Sequence, residues 1–261
     1  MQFRDKVAIV TGSATGLGAA TAIKLGSLGA SVVVNYTKSE AEAKETAAAV
    51  EKAGGKAILC QADVSVDADC RRMAKTALDT WGRIDALVNN AGSTKFVPHG
   101  NLEGLDAADF QRIYAINVIG AFQMVRAVEP AMRKAGRGAV VNVSSIAGVA
   151  GIGSSVAYAA SKGALNTMTL SLARVLGPEI SINAICPGFI QGKWLREGLG
   201  HAVYDSYKAQ LEASTPLQKT CTAEELADVV AFLIMGTGLI TGETLMVDGG
   251  NHLNFAPLSA R

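Results

Sequence analysis

Tyr158 and Lys162 stand four residues apart in a stretch of good helix formers, a spacing that puts both side chains on one face of a helix. A free phenol keeps its proton up to a pKa of about 10, and a neighbouring ammonium favours the phenolate and draws that value down. A phenol tuned towards the working pH is a general acid in one direction and a general base in the other. The same spacing is common on helix surfaces, so the pair by itself leaves a solvated Tyr–Lys pair open. Ser145 follows a strand-like run at 139–143, and its hydroxyl suits a hydrogen bond to a substrate oxygen. Ser144 competes with it, and a Ser-Ser pair after a strand also makes turn or capping bonds. Asn117 lies inside a long helical pattern, where Asn is a poor helix former. A catalytic task for it and a bond to nearby backbone are both open.

A second constellation lies near the start of the chain. Thr11-Gly12-Ser13-Ala14-Thr15-Gly16-Leu17-Gly18 separates an apolar run from a helical pattern. Glycines after a first strand permit a tight turn, a close approach of backbone to pyrophosphate, and close packing of helix on strand. The following helix offers free N–H groups and a positive dipole end to an anion. The spacing is G-x3-G-x-G; such a loop alone is more often a plain turn, and its place between strand and helix favours a dinucleotide site.

Both constellations need a frame. Short apolar runs at 7–10, 31–34, 57–59, 86–88, 139–143, 181–185 and 244–247 predict strands. They are continuous rather than alternating, as in a parallel sheet covered on both faces. Helical patterns at 16–28, 40–53, 67–80, 107–133, 158–176 and 223–235 lie between them. This alternation predicts an α/β fold: a doubly wound parallel sheet with helices on both faces and right-handed crossovers. No linker, repeat or low-complexity tract interrupts residues 1–261, so one domain is expected. Residues 188–217 carry no strand signal but hold Trp194, Tyr204 and Tyr207, which predicts a helical lid, with a surface loop bearing two ordinary helices as the alternative.

The motifs resemble those of the classical short-chain dehydrogenase/reductase family along essentially the whole chain, with similarity to 3-oxoacyl-[acyl-carrier-protein] reductase-like members. Besides the glycine loop, Asp63-Val64 resembles that family's adenine contact, Asn89-Asn90-Ala91-Gly92 its NNAG motif, and Pro187-Gly188 its PG motif. Asn117, Ser145, Tyr158 and Lys162 match its active-site set. The resemblance implies a single-domain Rossmann fold and an NAD(P)-dependent oxidoreductase that moves a hydride between the cofactor and a carbonyl or secondary alcohol. Tyr158 is then the general acid/base, Ser145 steadies the substrate oxygen, Lys162 lowers the tyrosine pKa and holds the nicotinamide ribose, and Asn117 holds a water that supplies protons. A non-catalytic dinucleotide-binding scaffold is the alternative function.

The family's cofactor contacts fall on Gly12, Ser13, Thr15, Gly16, Leu17, Gly18, Asp63, Val64, Asn90, Ala91, Gly92, Tyr158, Lys162, Pro187, Gly188 and Ile190. An acid at the end of the second strand would hold the ribose hydroxyls and repel a 2′-phosphate. That place reads Asn35-Tyr36-Thr37-Lys38-Ser39, without a carboxylate, so Asn35, Lys38 and Ser39 are expected to receive the phosphate of NADP. No arginine stands there, and NAD stays open, with Lys38 then an ordinary solvated residue. Family members often carry a threonine soon after PG. Here Phe189-Ile190-Gln191 follows, leaving the backbone of Ile190 or Gln191 to dock the nicotinamide carboxamide. Phe96, Val97, Pro98 and residues 146–153 are expected to line a partly apolar substrate pocket.

The remaining features set bounds. A net charge of +1 gives no footprint for nucleic acid. Residues 229–240 are too short against the ~20 a membrane helix needs. Arg4, Asp5 and Lys6 lead straight into a strand, unlike a signal peptide. Cys60, Cys70, Cys186 and Cys221 show no paired spacing, which suits free thiols in the cytoplasm. His99, His201 and His252 are scattered, and no metal is expected. The family resemblance implies a homotetramer built through the two long helices and the last strand. The tail 251–261 is expected either at an interface or frayed.

Overall fold

Short β-branched runs become strands here because helices cover both of their faces. The computed structural model describes residues 3–236 and 238–254. In chain order the elements are β1 (Val7–Val10), α1 (Gly16–Ser27), β2 (Ser31–Tyr36), α2 (Glu40–Lys52), β3 (Lys56–Gln61), α3 (Asp67–Trp81) and β4 (Ala86–Asn89). There follow α4 (Ala107–Tyr114), a π-helical segment (Ala115–Gly120), α5 (Ala121–Lys134), β5 (Gly138–Val143), α6 (Ala147–Ala150) and α7 (Val156–Leu176). The chain continues through β6 (Ile180–Pro187), α8 (Lys193–Leu199), α9 (His201–Ser214), α10 (Ala223–Met235) and β7 (Thr244–Val247).

All seven strands pair in parallel, in the order β3-β2-β1-β4-β5-β6-β7. Alternate residues of each strand face opposite ways. Ala8 and Val10 pack with α1, α2 and α10, while Val7 and Ile9 pack with α3, α5 and α7. Each large aliphatic side chain buried in these two layers contributes roughly 1.5–3 kcal/mol.

Three local features depart from the sequence pattern. The helix expected over 107–133 is two α-helices joined by the π segment, where one residue falls out of the α register. Asn117 lies in that segment and is buried. The helix expected from Tyr158 begins at Val156, because the Ser155 hydroxyl accepts from the Tyr158 N–H at 3.2 Å and caps it. The short α6 had no periodic signal. Residues 188–217 hold α8 and α9, and residues 255–261 of the tail lie outside the described residues. Among the described residues no helix is long and apolar enough to cross a membrane, and no cluster of His, Cys, Asp or Glu is arranged for a metal. All four cysteines are free and buried.

Candidate active site

The strand order reverses between β1 and β4, so the loops leaving their carboxyl ends part to opposite sides and open a crevice. The two loops brace each other. Thr11 Oγ1 accepts from the N–H groups of Asn90 and Ala91 at 3.0 Å each, and Asn90 Nδ2 donates to the carbonyls of Thr11 (3.0 Å) and Gly12 (2.9 Å). Gly12 turns the chain with φ +60°, and a Cβ there would press on Ala91 at 3.0 Å. A Cβ at Gly18 would fall 2.4 Å from the Gly12 carbonyl oxygen and 2.5 Å from Asn90 Nδ2, so α1 can start only this close to the loop with glycine there.

Two residues expected at the nucleotide are turned inward instead. Asn35 is buried: its Oδ1 accepts from the Gly12 N–H at 2.9 Å, and its Nδ2 donates to Cys60 O (3.1 Å) and Ala62 O (3.0 Å). Those bonds use up its amide donors, and it is a brace for the glycine loop, not a phosphate ligand. Ser13 is likewise buried, its hydroxyl donating to Val10 O at 2.7 Å and accepting from the Asn35 N–H at 2.9 Å. Lys38 is exposed and, among the described residues, makes no ion pair, while Ser39 is half-buried just before α2.

The rest of the crevice fits a dinucleotide. Thr15 and Gly16 are exposed at the start of α1, and the Thr15 hydroxyl makes no capping bond, leaving the first-turn N–H groups facing outward near Leu17. Asp63 Oδ1 is held by the N–H (2.9 Å) and hydroxyl (2.7 Å) of Ser65 at the end of β3, with buried Val64 beside it. Beyond Pro187-Gly188 the chain makes a parallel bridge, Ile190 to Cys221, through Cys221 N–H to Phe189 O and Gln191 N–H to Cys221 O, both 2.9 Å. Such a bridge leaves the N–H and C=O of Ile190 pointing the other way, and neither has a partner among the described residues. Of the two backbone positions open to a carboxamide, Ile190 is therefore the available one; the Gln191 N–H is taken.

The chemical centre is assembled by α6 and α7. A Cβ at Gly148 would lie 2.4 Å from the Lys162 carbonyl carbon, so α6 lies backbone-to-backbone on α7 at Lys162-Gly163. This contact carries Ser145 up beside Tyr158, where its hydroxyl acts on the phenol. Ser145 Oγ also accepts from the Ala147 N–H at 3.1 Å. Ser144 points into the core and donates to Lys162 O at 3.2 Å, so of the two serines only Ser145 stands at the phenol. Lys162 is buried, with Nζ 2.8 Å from Val143 O and 5.6 Å from the Tyr158 ring centre. Gly92 brings the loop after β4 against Lys162 Nζ and Asn117 Oδ1. Asn117 exchanges hydrogen bonds with Ser93, Oδ1 from its N–H at 2.8 Å and Nδ2 to its carbonyl at 3.0 Å, and donates to Ser161 Oγ at 2.9 Å. Both amide donors are thereby spent on the protein. Cys186 is buried beside Ser144, Ser145 and Asn166, and burial pushes its thiol pKa up, as suits a filler.

The electrostatics differ from the sequence expectation. Burial pushes the Tyr158 phenol up to about 12, against the lowering effect of the neighbouring Ser145 hydroxyl. Burial also draws Lys162 down to about 8. With a carbonyl as its hydrogen-bond acceptor and its charge penalised by burial, Lys162 does not pull the phenol down in the chain by itself. The protein alone keeps Tyr158 protonated, which is the state of a proton donor.

Sequence reasoning missed Thr11, Ser155 and Ser161. A serine three residues before the tyrosine is an N-cap signal that would have found Ser155. Thr11 and Ser161 act through neighbours brought close only by the fold.

A family model described as Enoyl-(Acyl carrier protein) reductase matches residues 12–252. A Streptomyces violaceoruber protein named "Granaticin polyketide synthase putative ketoacyl reductase 2" is 41% identical over 247 residues, covering 95% of this chain and 96% of that one. The 3-oxoacyl-[acyl-carrier-protein] reductase of Synechocystis is 35% identical over 248 residues, covering 94% and 96%. The crystal structure of an NAD+-bound xylitol dehydrogenase is similar with a TM-score of 0.88 and 30% identity, covering 96% of this chain and all (100%) of that one. With the parallel sheet, the glycine loop and these relatives, the chain belongs to the classical short-chain dehydrogenase/reductase family of oxidoreductases, whose members use nicotinamide cofactors.

Proposed function

We propose that the protein reduces a small-molecule carbonyl to a secondary alcohol with NADPH, and that Tyr158 gives the proton. The observation that carries this is the meeting of Ser145, Tyr158 and Lys162 at the carboxyl edge of the sheet, next to a glycine loop with open N–H groups. The bound nicotinamide supplies the hydride. Gly12, Thr15, Gly16, Leu17 and Gly18 form the pyrophosphate cradle, Asp63 and Val64 border the adenine, and Ala91, Gly92, Pro187, Gly188 and Ile190 border the nicotinamide half. Ser145 steadies the substrate oxygen as negative charge builds on it. Tyr158, kept protonated by burial, passes its proton to that oxygen, and Lys162 compensates the phenolate left behind. Asn117, fixed by Ser93 and Ser161, holds the segment through which a proton is returned.

Lys38 and Ser39 favour NADPH over NADH, since no carboxylate stands at the end of β2 to repel a 2′-phosphate. One domain carries these parts, with 188–217 as a lid, and exposed Ile119 and Phe122 on the α4–α5 side support a homotetramer. Buried free thiols suit a cytoplasmic enzyme. The test is the initial rate of NADPH oxidation with a panel of small ketones, cyclic diketones, sugars and a 3-oxoacyl thioester. Tyr158→Phe is expected to lose roughly 10²–10⁴-fold in turnover while keeping nucleotide affinity. Unchanged turnover in that variant would remove Tyr158 from the chemistry.

A further inference from the structure

Beside the phenol, Phe96, expected to line the substrate pocket, meets Trp194 of the 188–217 segment. Trp194, on α8, is 51% exposed, and its ring centre lies 6.5 Å from that of Tyr158 and 5.6 Å from that of Phe96. Phe96 is held in place from several directions. Its neighbours are pinned, with the Val97 N–H donating to Ser154 O at 2.8 Å, Thr94 Oγ1 2.7 Å from Ser154 Oγ, and Lys95 paired with buried Asp109 at 2.6 Å. The Phe96 ring rests on bare backbone of α8: a Cβ at Gly198 would fall 2.1 Å from its Cε2 and Cζ. Two rings from two separate segments, Trp194 and behind it Phe96, thus stand beside the ring that carries the reacting hydroxyl.

The charges of α8 turn elsewhere. Lys193 pairs with Glu197 at 3.7 Å, and Arg196 lies 4.3 Å over the Tyr204 ring and 3.5 Å from Asp205. The nearby His99 ring meets Gly153 O at 3.2 Å. Among the described residues of this wall, no cation is left unpaired for a phosphate-bearing substrate, and a polyol would lose water against aromatic faces without gaining hydrogen bonds. An apolar ring gains stacking contacts from the same faces.

We infer that Trp194 and Phe96 form an aromatic wall that selects a ketone carried on an apolar ring, cyclic or aryl, over a polyol or an anionic acyl thioester. This rests on the reading of Tyr158 as proton donor. The wall predicts that kcat/KM for α-tetralone exceeds that for D-xylulose and for acetoacetyl-CoA by about tenfold or more. Trp194→Ala should cut the tetralone value about tenfold, mainly through KM, and move the other two less than about threefold. Gly198→Ala leaves both rings in the chain but drives Phe96 off its seat, and should lower the tetralone preference in the same direction. Equal losses on all three substrates, or a better rate on either non-ring substrate, overturn the inference while a Tyr158-dependent rate keeps the proposed function.

If no substrate gives a Tyr158-dependent rate, the functional reading falls and the wall is decided by binding. Trp81 and Trp194 are the two tryptophans, so Trp81→Phe, with its fold checked by circular dichroism, makes Trp194 the sole emitter. Saturable quenching by α-tetralone after inner-filter correction, weakened by Gly198→Ala, is the expected result; no saturable change overturns the wall.

Discussion

At the end of β1 the buried polar side chains are answered from within the chain, whereas along α7 two ionisable groups are buried with far less. The Thr11, Ser13, Asn35 and Asn90 side chains each make two or more hydrogen bonds, and together they fix the backbone of the glycine loop. Lys162, by contrast, has its ammonium on a single carbonyl, and burial moves its pKa down as it moves that of Tyr158 up. The nucleotide side is a finished scaffold that presents backbone. The catalytic side keeps electrostatic tension, which is where perturbed titration concentrates in working sites.

The scaffold breaks hardest at Gly18. Gly18→Ala puts a methyl group against backbone on two sides, and neither the Gly12 carbonyl nor Ser13 Cα can yield without moving the loop. Nucleotide affinity measured by fluorescence titration should fall roughly 100-fold, and stability by about 1–3 kcal/mol. Native affinity in this variant would mean that the loop has slack its bonding pattern denies. Asn35→Ala comes next and separates a brace from a ligand. Leaving the Gly12 N–H without its acceptor should cost about 1–3 kcal/mol, and it should weaken NADPH and NADH binding by the same factor. A loss confined to NADPH would restore Asn35 as a phosphate contact.

The sequence carried the glycine loop and the parallel strands because both are written in neighbouring residues. Gly12, Gly16 and Gly18 declare a turn next to a helix start, and the β-branched runs declare buried parallel strands. The direction of Asn35 was harder to read, since a polar residue at a strand end reads as exposed until the loop it supports is placed over it. The π segment was hidden because its composition continues the helical pattern on either side and only its register changes. Gly148 on Gly163, and Gly198 beneath Phe96, meet across long stretches of chain, so spacing alone holds no trace of them.

On the catalytic side the tension is measurable as a pH dependence of stability. The Lys162 pKa is about 8 in the folded chain against 10.5 when free. Below about 8 both states are protonated and the native state bears the full cost of a buried charge. Between about 8 and 10.5 the unfolded chain binds more protons, so this cost is relieved as pH rises. Lys162→Met has no such charge. Its stability relative to the parent chain should therefore be greatest below pH 8 and decline towards pH 10.5, by on the order of 3 kcal/mol. The lost donor to Val143 O adds an offset that does not vary with pH. Tyr158 works with opposite sign above pH 10, but it is present in both chains and cancels. Parallel stability curves from denaturant titrations would show that the ammonium is not desolvated.

The smallest effect lies at the rim of the scaffold, where the chain offers a side chain rather than backbone. Lys38 is exposed at the end of β2 and free of ion pairs among the described residues, so its charge acts through solvent. Lys38→Ala should raise the Kd for NADPH several-fold, roughly 1 kcal/mol in a screened setting, and leave that for NADH unchanged. The gap between the two nucleotides should also narrow as salt rises, because an exposed pair is screened within a Debye length of about 10 Å at 0.1 M. An equal change for both nucleotides would make Lys38 part of the general scaffold. No change for either would leave the nucleotide preference to the missing carboxylate alone, with the specificity of this side set by what the end of β2 does not repel.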